Sequence, residues 1–254
     1  MTSGLAPMDR SSSAEDEHVR AYYDEFSPAY ERRRGANDPG GYHEVVDDLE
    51  VDFASRFARG RDLLEIGCGT GLLLARLAKV ARTAQGIDLS QGMLRKAEER
   101  GLTVRQGSVL DLPYPQGSFD VTCSFKVLAH VPAIERALAE MIRVTRLDGV
   151  VIAEFYNPMS LRGLARRLGP ARAISARTKE SAVFTRFDSP WRVKKLLPPD
   201  HRVIDQRGVR IVTPAAFAMR IPLVGRALRA AEWALCDSRL SVLGGFFIVA
   251  IAKA

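Results

Sequence analysis

A strict alternation of short apolar runs and longer helical patterns between residues 62 and 155 constrains this chain more than any other feature. Asp62 to Ile66, Thr83 to Asp88, Thr103 to Gln106, Phe119 to Phe125 and Val150 to Phe155 read as strands. Gly71 to Val80, the stretch from Ser90 to Arg100, and Ala133 to Val144 read as helices, with Ser90 as a good N-cap. Strands alternating with helices of about ten residues imply βαβ units and a parallel sheet. Leu112-Pro113-Tyr114-Pro115 reads as a loop, and Leu147-Asp148-Gly149 as a turn before the fifth strand.

The flanks read differently. Residues 1–17 are polar, with Ser11-Ser12-Ser13 and an acidic stretch, and are expected to form a disordered tail. The domain then runs over 18–254. A helical segment carries Tyr22, Tyr23, Phe26 and Tyr30 at helix-compatible spacing. Glu44 to Arg59 is an amphipathic helix with Val46, Leu49, Phe53 and Phe57 on one face and Gly60 at its end. After residue 156 the rhythm breaks, and helical cap insertions are expected over about 157–200 and 214–240. Between and after them come a strand at Arg202 to Val212 and an apolar one at Phe246 to Ala252.

Composition narrows the function classes. Cys68, Cys123 and Cys236 are widely spaced and read as free thiols in a reducing compartment, and no His/Cys cluster suggests a metal site. The N-terminus lacks the apolar core of a signal peptide, and Val242 to Ala252 is too short to span a bilayer. The expectation is a soluble, cytoplasmic protein. A formal net charge of +7 favours anionic partners. The aromatic interleaving of a nucleic-acid platform is missing, so no nucleic acid is expected.

Chemistry concentrates at Glu65-Ile66-Gly67-Cys68-Gly69-Thr70-Gly71. Glycines between a strand and a helix let backbone pass close to a ligand. Glu65 at the strand's carboxyl end discourages a phosphate and suits a cationic amino group. Asp88 ends the second strand, where an acidic side chain accepts hydrogen bonds from ribose hydroxyls. The GxGxG spacing also differs from the GxGxxG dinucleotide fingerprint.

These residues resemble a known family. Leu63 to Gly71 looks like the first motif of class I S-adenosylmethionine-dependent methyltransferases, and Gly86-Ile87-Asp88-Leu89-Ser90-Gln91-Gly92-Met93-Leu94 resembles the second. Gln106 to Tyr114 is similar to the adenine-binding loop, and Ser118-Phe119-Asp120-Val121 to the segment opening the fourth strand. The motif order covers about residues 60–155. Tyr22-Tyr23-Asp24 through Tyr30-Glu31 resembles the lid helix of the ubiquinone- and menaquinone-type enzymes. The resemblance implies a Rossmann-like, seven-stranded, mostly parallel sheet with helices on both faces, a helical N-terminal lid and helical insertions near the C-terminus. It also implies S-adenosyl-L-methionine as cofactor. Glu65, Gly67, Cys68, Gly69 and Gly71 would surround its methionine part, Asp88 and Leu89 its ribose, and Met93, Ser108 and Val109 its adenine, with Tyr22 and Tyr30 in the lid. Ser108 stands where the family often has Asp, and 147–149 lacks the proline and one glycine of the family's Leu-x-Pro-Gly-Gly turn.

Methyl transfer is a direct displacement that draws much of its acceleration from alignment. His130, just past the fourth strand, is the candidate general base for an acceptor that must lose a proton. Lys126, Tyr156 and Asn157 are placed to touch an acceptor. The stretch 161–186 holds seven basic residues against Glu180, with Leu161, Leu164 and Leu168 between them, and suits an anionic acceptor or a weak contact with an anionic membrane. Pro214 to Cys236 offers apolar side chains for a pocket wall. The acceptor is expected to be a small molecule, lipophilic or anionic. Two rivals stay open: an NAD(P)-type Rossmann oxidoreductase and a non-catalytic cofactor-binding protein.

Overall fold

The computed structural model describes residues 10–34, 40–160, 163 and 184–254. Among them, seven strands form one sheet in the order β3-β2-β1-β4-β5-β7-β6. These are β1 Asp62–Ile66, β2 Thr83–Asp88, β3 Thr103–Gln106, β4 Phe119–Ser124, β5 Thr145–Tyr156, β6 His201–Val209 and β7 Phe246–Lys253. The first five run parallel, and β7 runs antiparallel to both β5 and β6.

Side-chain alternation along these strands builds two cores. Leu63, Val121, Cys123, Ile152 and Ile248 pack under helices α2 Tyr42–Ala58, α3 Leu74–Leu77 and α4 Gln91–Glu99. Their neighbours Leu64, Ile66, Val151, Ala153 and Val249 pack under α5 Ile134–Val144 and α6 Pro190–Leu196. Runs that are apolar on both faces are what a central parallel sheet requires. Helix α7 Pro222–Leu235 follows a 3-10 turn at Ala216–Arg220, and α1 Arg10–Arg34 lies against α4.

Four local expectations change. Helix α1 starts at Arg10, inside the stretch read as a tail, where Ala14, Glu15 and Glu17 are good helix formers. The helix expected over Gly71 to Val80 shortens to one α-turn, because Gly71 is left-handed at φ +79° and Val80 turns back to accept from the Gly60 N–H. Leu147-Asp148-Gly149 makes no separate turn. Strand pairing already starts at Thr145 opposite Phe119, and the register shift before Val121↔Val150 absorbs the extra residues, leaving Leu147 74% exposed. Strand β6 ends at Val209, short of the expected Val212. Of the stretch 157–200 that was read as a cap, residues 161–162 and 164–183, which hold most of its basic side chains, lie outside the described residues.

Candidate active site

Strand order reverses between β1 and β4, so a crevice opens at their carboxyl ends, where open α/β sheets hold ligands. The β1–α3 loop walls it. Gly67 has φ +73°, and a Cβ there would stand 2.1 Å from Val127 Cγ2. Gly69 has φ +53°, and a Cβ there would meet nothing within 4 Å, so the loop leaves open space in front of it. The backbone N–H groups of Gly67 and Cys68 donate to the Ile87 carbonyl at 2.7 and 3.1 Å. The next one, of Gly69, donates to Asp88 Oδ2 at 2.8 Å, while the Ser90 N–H donates to Oδ1 at 2.8 Å. Asp88 thus pins both rims of the crevice, and burial pushes its carboxyl up.

The crevice continues into a cavity with about 1240 Å³ of empty space, open solvent included. Glu65 lines it and is 3% exposed. Its Oε2 has no hydrogen-bond partner among the described residues. Burial, reinforced by the nearby Glu50 charge, raises the Glu65 carboxyl to about 8. A buried carboxyl with an idle oxygen in the wall of a cavity has the chemistry to receive a cationic donor group.

Helix α1 closes the cavity from above. Asp24 Oδ1 accepts from Ser90 Oγ at 2.6 Å and from the Gly92 N–H at 2.8 Å. Glu31 accepts from Arg100 Nη2 at 2.8 Å, and Arg34 pairs with Asp47. These ties bring Tyr23, Tyr30 and Arg34 to the cavity wall. Desolvation works to raise the Asp24 carboxyl, but the Ser90 and Gly92 hydrogen bonds outweigh it and the net shift is downward.

The far end of the cavity is charged. Lys126 follows β4 in the left-handed region at φ 61°. Its ammonium bonds Asp47 Oδ1 at 3.1 Å and the fully buried Glu50 Oε2 at 2.5 Å, and its backbone N–H donates to Glu154 Oε1 at 3.1 Å. Burial opposes the Lys126 charge, yet Glu50 and Asp47 hold its ammonium above the usual lysine range. Burial raises both Glu50 and Glu154, which lie against one another. This clamp fixes the loop that carries His130. The Nδ1 of His130 lies 2.9 Å from the Phe184 carbonyl oxygen, which only accepts. Nδ1 therefore carries a hydrogen, and of the two neutral tautomers this contact selects the one whose lone pair is on Nε2. The His130 ring also packs edge-on to Tyr156 at 5.8 Å.

Most of the residues singled out in the sequence converge here. Glu65, Gly67, Cys68, Gly69, Asp88, Leu89, Met93, Val109, Tyr30 and His130 all line the cavity. Three do not. Gly71 sits behind the loop, where a Cβ would strike Leu102 Cδ1 at 2.4 Å; its role is packing. Ser108 turns its hydroxyl to the Leu110 N–H at 3.1 Å, so it shapes the loop that presents Val109. Tyr22 packs on Tyr23 and Phe26, and its neighbour Tyr23 reaches the cavity. Arg186, from the basic stretch, is paired with Asp188 at 2.7 Å, and its backbone N–H donates to the Ala129 carbonyl beside His130. Asn157 is buried with its amide donating to the Val242 and Gly244 carbonyls, which places it in the frame of the fold.

Residues 64–153 match a family model described as a methyltransferase domain. Over that span the chain is similar to this family, and the matched span contains the glycine loop, Asp88, Lys126 and His130. The chain is 40% identical over 122 residues to the ubiquinone biosynthesis O-methyltransferase of Methylococcus capsulatus, covering 44% of this chain and 52% of that protein. It is 28% identical over 162 residues to the demethylmenaquinone methyltransferase of Symbiobacterium thermophilum, covering 59% and 64%. The chain therefore spans less than two thirds of either relative's length. A solved structure of an S-adenosylmethionine-dependent methyltransferase from Thermotoga maritima, described as a possible histamine N-methyltransferase, superposes with a TM-score of 0.63 at 20% identity. That superposition covers 92% of this chain and 99% of that one, and establishes the shared fold.

Proposed function

We propose that this protein transfers a methyl group from S-adenosyl-L-methionine to a small, lipophilic or anionic acceptor. The orphaned Glu65 carboxyl in the wall of the cavity that the open Gly69 cradle also lines carries this reading. A methionine-type ammonium fits there, because it supplies the hydrogen bond that Glu65 Oε2 lacks and stabilises its charged form. A phosphate would meet a carboxyl instead of a donor. Asp88 has lone pairs left for ribose hydroxyls after its two backbone bonds, and Met93 and Val109 offer apolar contact to adenine. The bound cofactor supplies a methyl group activated on a cationic sulfur.

The chain's own residues do the rest. The Gly67–Gly69 backbone and Asp88 orient the donor, and α1 with Tyr23 and Tyr30 excludes water. His130 Nε2 takes the proton of an acceptor hydroxyl, with the Phe184 carbonyl fixing the tautomer that leaves Nε2 free to do so. A lipophilic acceptor agrees with relatives named for ubiquinone and demethylmenaquinone methylation. The three cysteines are buried free thiols, which supports a reducing, cytoplasmic setting.

Incubation with methyl-labelled S-adenosylmethionine and a panel of hydroquinones, phenols and amines tests the reading. Label should move to a solvent-extractable small molecule, and Asp88→Ala should abolish the transfer. Hydride transfer from NAD(P)H with no demethylated cofactor formed would overturn it.

A further inference from the structure

Helix α7 turns an apolar stripe toward solvent. Two anchors fix its orientation. Glu232 is 1% exposed, and its carboxylate accepts from the backbone N–H groups of Ile211, Val212 and Thr213 and from Thr213 Oγ1, at 2.7 to 3.0 Å. Gly225 lies so close to the preceding turn that a Cβ would stand 2.1 Å from the Met219 carbonyl. With that face held down, Leu223, Ala227, Ala230 and Ala234, spaced i, i+4, i+7 and i+11, are all exposed. Phe217, Ile221 and Val224 widen the stripe at its N-terminal end, with Leu223 78% and Phe217 68% exposed.

Next to the stripe along the chain the charge is basic, with the exposed Glu44 near Arg229 at the edge toward α2. Arg220 and Arg226 are exposed beside the apolar knob, and the sequence from Thr213 to Ala231 contains no acidic residue. Glu232, the next one, is buried. Arg229 donates to the Gly40 carbonyl at 2.6 Å, which sets α7 beside the start of α2.

We infer that the Ala216–Arg220 turn and α7 dock on an anionic lipid bilayer. Leu223, Phe217 and Val224 enter the headgroup boundary while Arg220 and Arg226 meet lipid phosphates. The helix lies in the plane of the interface: it has 14 residues, and no helix among the described residues is long and apolar enough to cross a membrane. Charge selects the bilayer over a second copy of the chain. An isologous contact would bring the arginines of both copies onto one patch, whereas phosphates neutralise them. This surface comes from a different part of the sequence than the basic stretch 161–186, and its membrane role does not depend on the methyl-transfer reading.

Co-sedimentation of the full chain with vesicles tests it, using phosphatidylcholine alone or mixed with phosphatidylglycerol. Binding should require phosphatidylglycerol and weaken with salt. Arg220→Gln with Arg226→Gln should weaken it at least tenfold, since each surface arginine is worth about fivefold in partitioning. Phe217→Ser with Leu223→Ser should abolish it while the melting temperature and cofactor affinity hold. No binding to mixed vesicles would overturn the inference, as would binding that both double variants leave intact. A Leu223-dependent dimer in light scattering that fails to bind vesicles would also overturn it.

Discussion

Glu65→Gln separates the cost of the site from its use. The Glu65 carboxyl stands at about 8 in the folded chain, against an ordinary 4.5. The fold therefore favours its neutral form. The stability this lends is fully present below the unfolded value and is lost as pH rises through about 8. Integrating that difference to neutrality gives a loss on the order of 3 kcal/mol. Glutamine is close in shape and cannot ionise, so it escapes the loss. At pH 7 the variant should melt ~6 °C or more above the parent, using roughly 2 °C per kcal/mol for a chain of this size. Near pH 4 the two should melt together. The cofactor response should favour the parent. The parent gains about 2.7 kcal/mol from ligand at a hundred times its dissociation constant. The glutamine variant lacks the carboxylate that meets the ammonium and should gain little. Because binding ionises Glu65, the parent's affinity should tighten with pH up to about 8, by as much as tenfold per unit. Thermal denaturation across this range, with and without S-adenosylhomocysteine, reads both effects. A pH-independent difference between parent and variant would refute the buried, neutral carboxyl. A variant that keeps the full cofactor shift would refute its role as ammonium receptor.

Three further outcomes follow from the same geometry. Gly67→Ala places a Cβ 2.1 Å from Val127 Cγ2 at φ +73° and should cost roughly 2 kcal/mol in urea denaturation, with loss of cofactor binding. Lys126→Met strands the buried Glu50 without its cation and should destabilise by about 3 kcal/mol; adding Glu50→Gln should recover part of it in a double-mutant cycle. His130→Asn should lower kcat about a hundredfold on a hydroxyl acceptor and leave cofactor affinity within about twofold in calorimetry.

The sheet was legible because its signals are local. Five apolar runs, the caps and the glycine loop each sit within a few residues of sequence, and Asp88 follows its strand directly. What escaped depends on distance in the chain. Asp24 bonds Ser90 and Gly92 across 66 and 68 residues, and no spacing announces that pairing. Tyr23 lines the cavity beside Tyr30 while Tyr22 does not, because the rotation of α1 is set by that tie. Lys126 gave no hint of its left-handed backbone or its buried ammonium, since both are imposed by Asp47, Glu50 and Glu154 from α2 and β5. Asp148-Gly149 carries an ordinary turn signal, and sheet pairing from Thr145 overrode it. Ser108 stands in the expected loop, yet its hydroxyl closes a local turn and does not face the cavity.

Titration calorimetry with S-adenosylmethionine, with NAD as the comparison ligand, tests the central reading most directly. The geometry predicts one saturable site for S-adenosylmethionine, none for NAD, and loss of the heat in Asp88→Ala. Saturable NAD binding with no heat from S-adenosylmethionine or S-adenosylhomocysteine would contradict it.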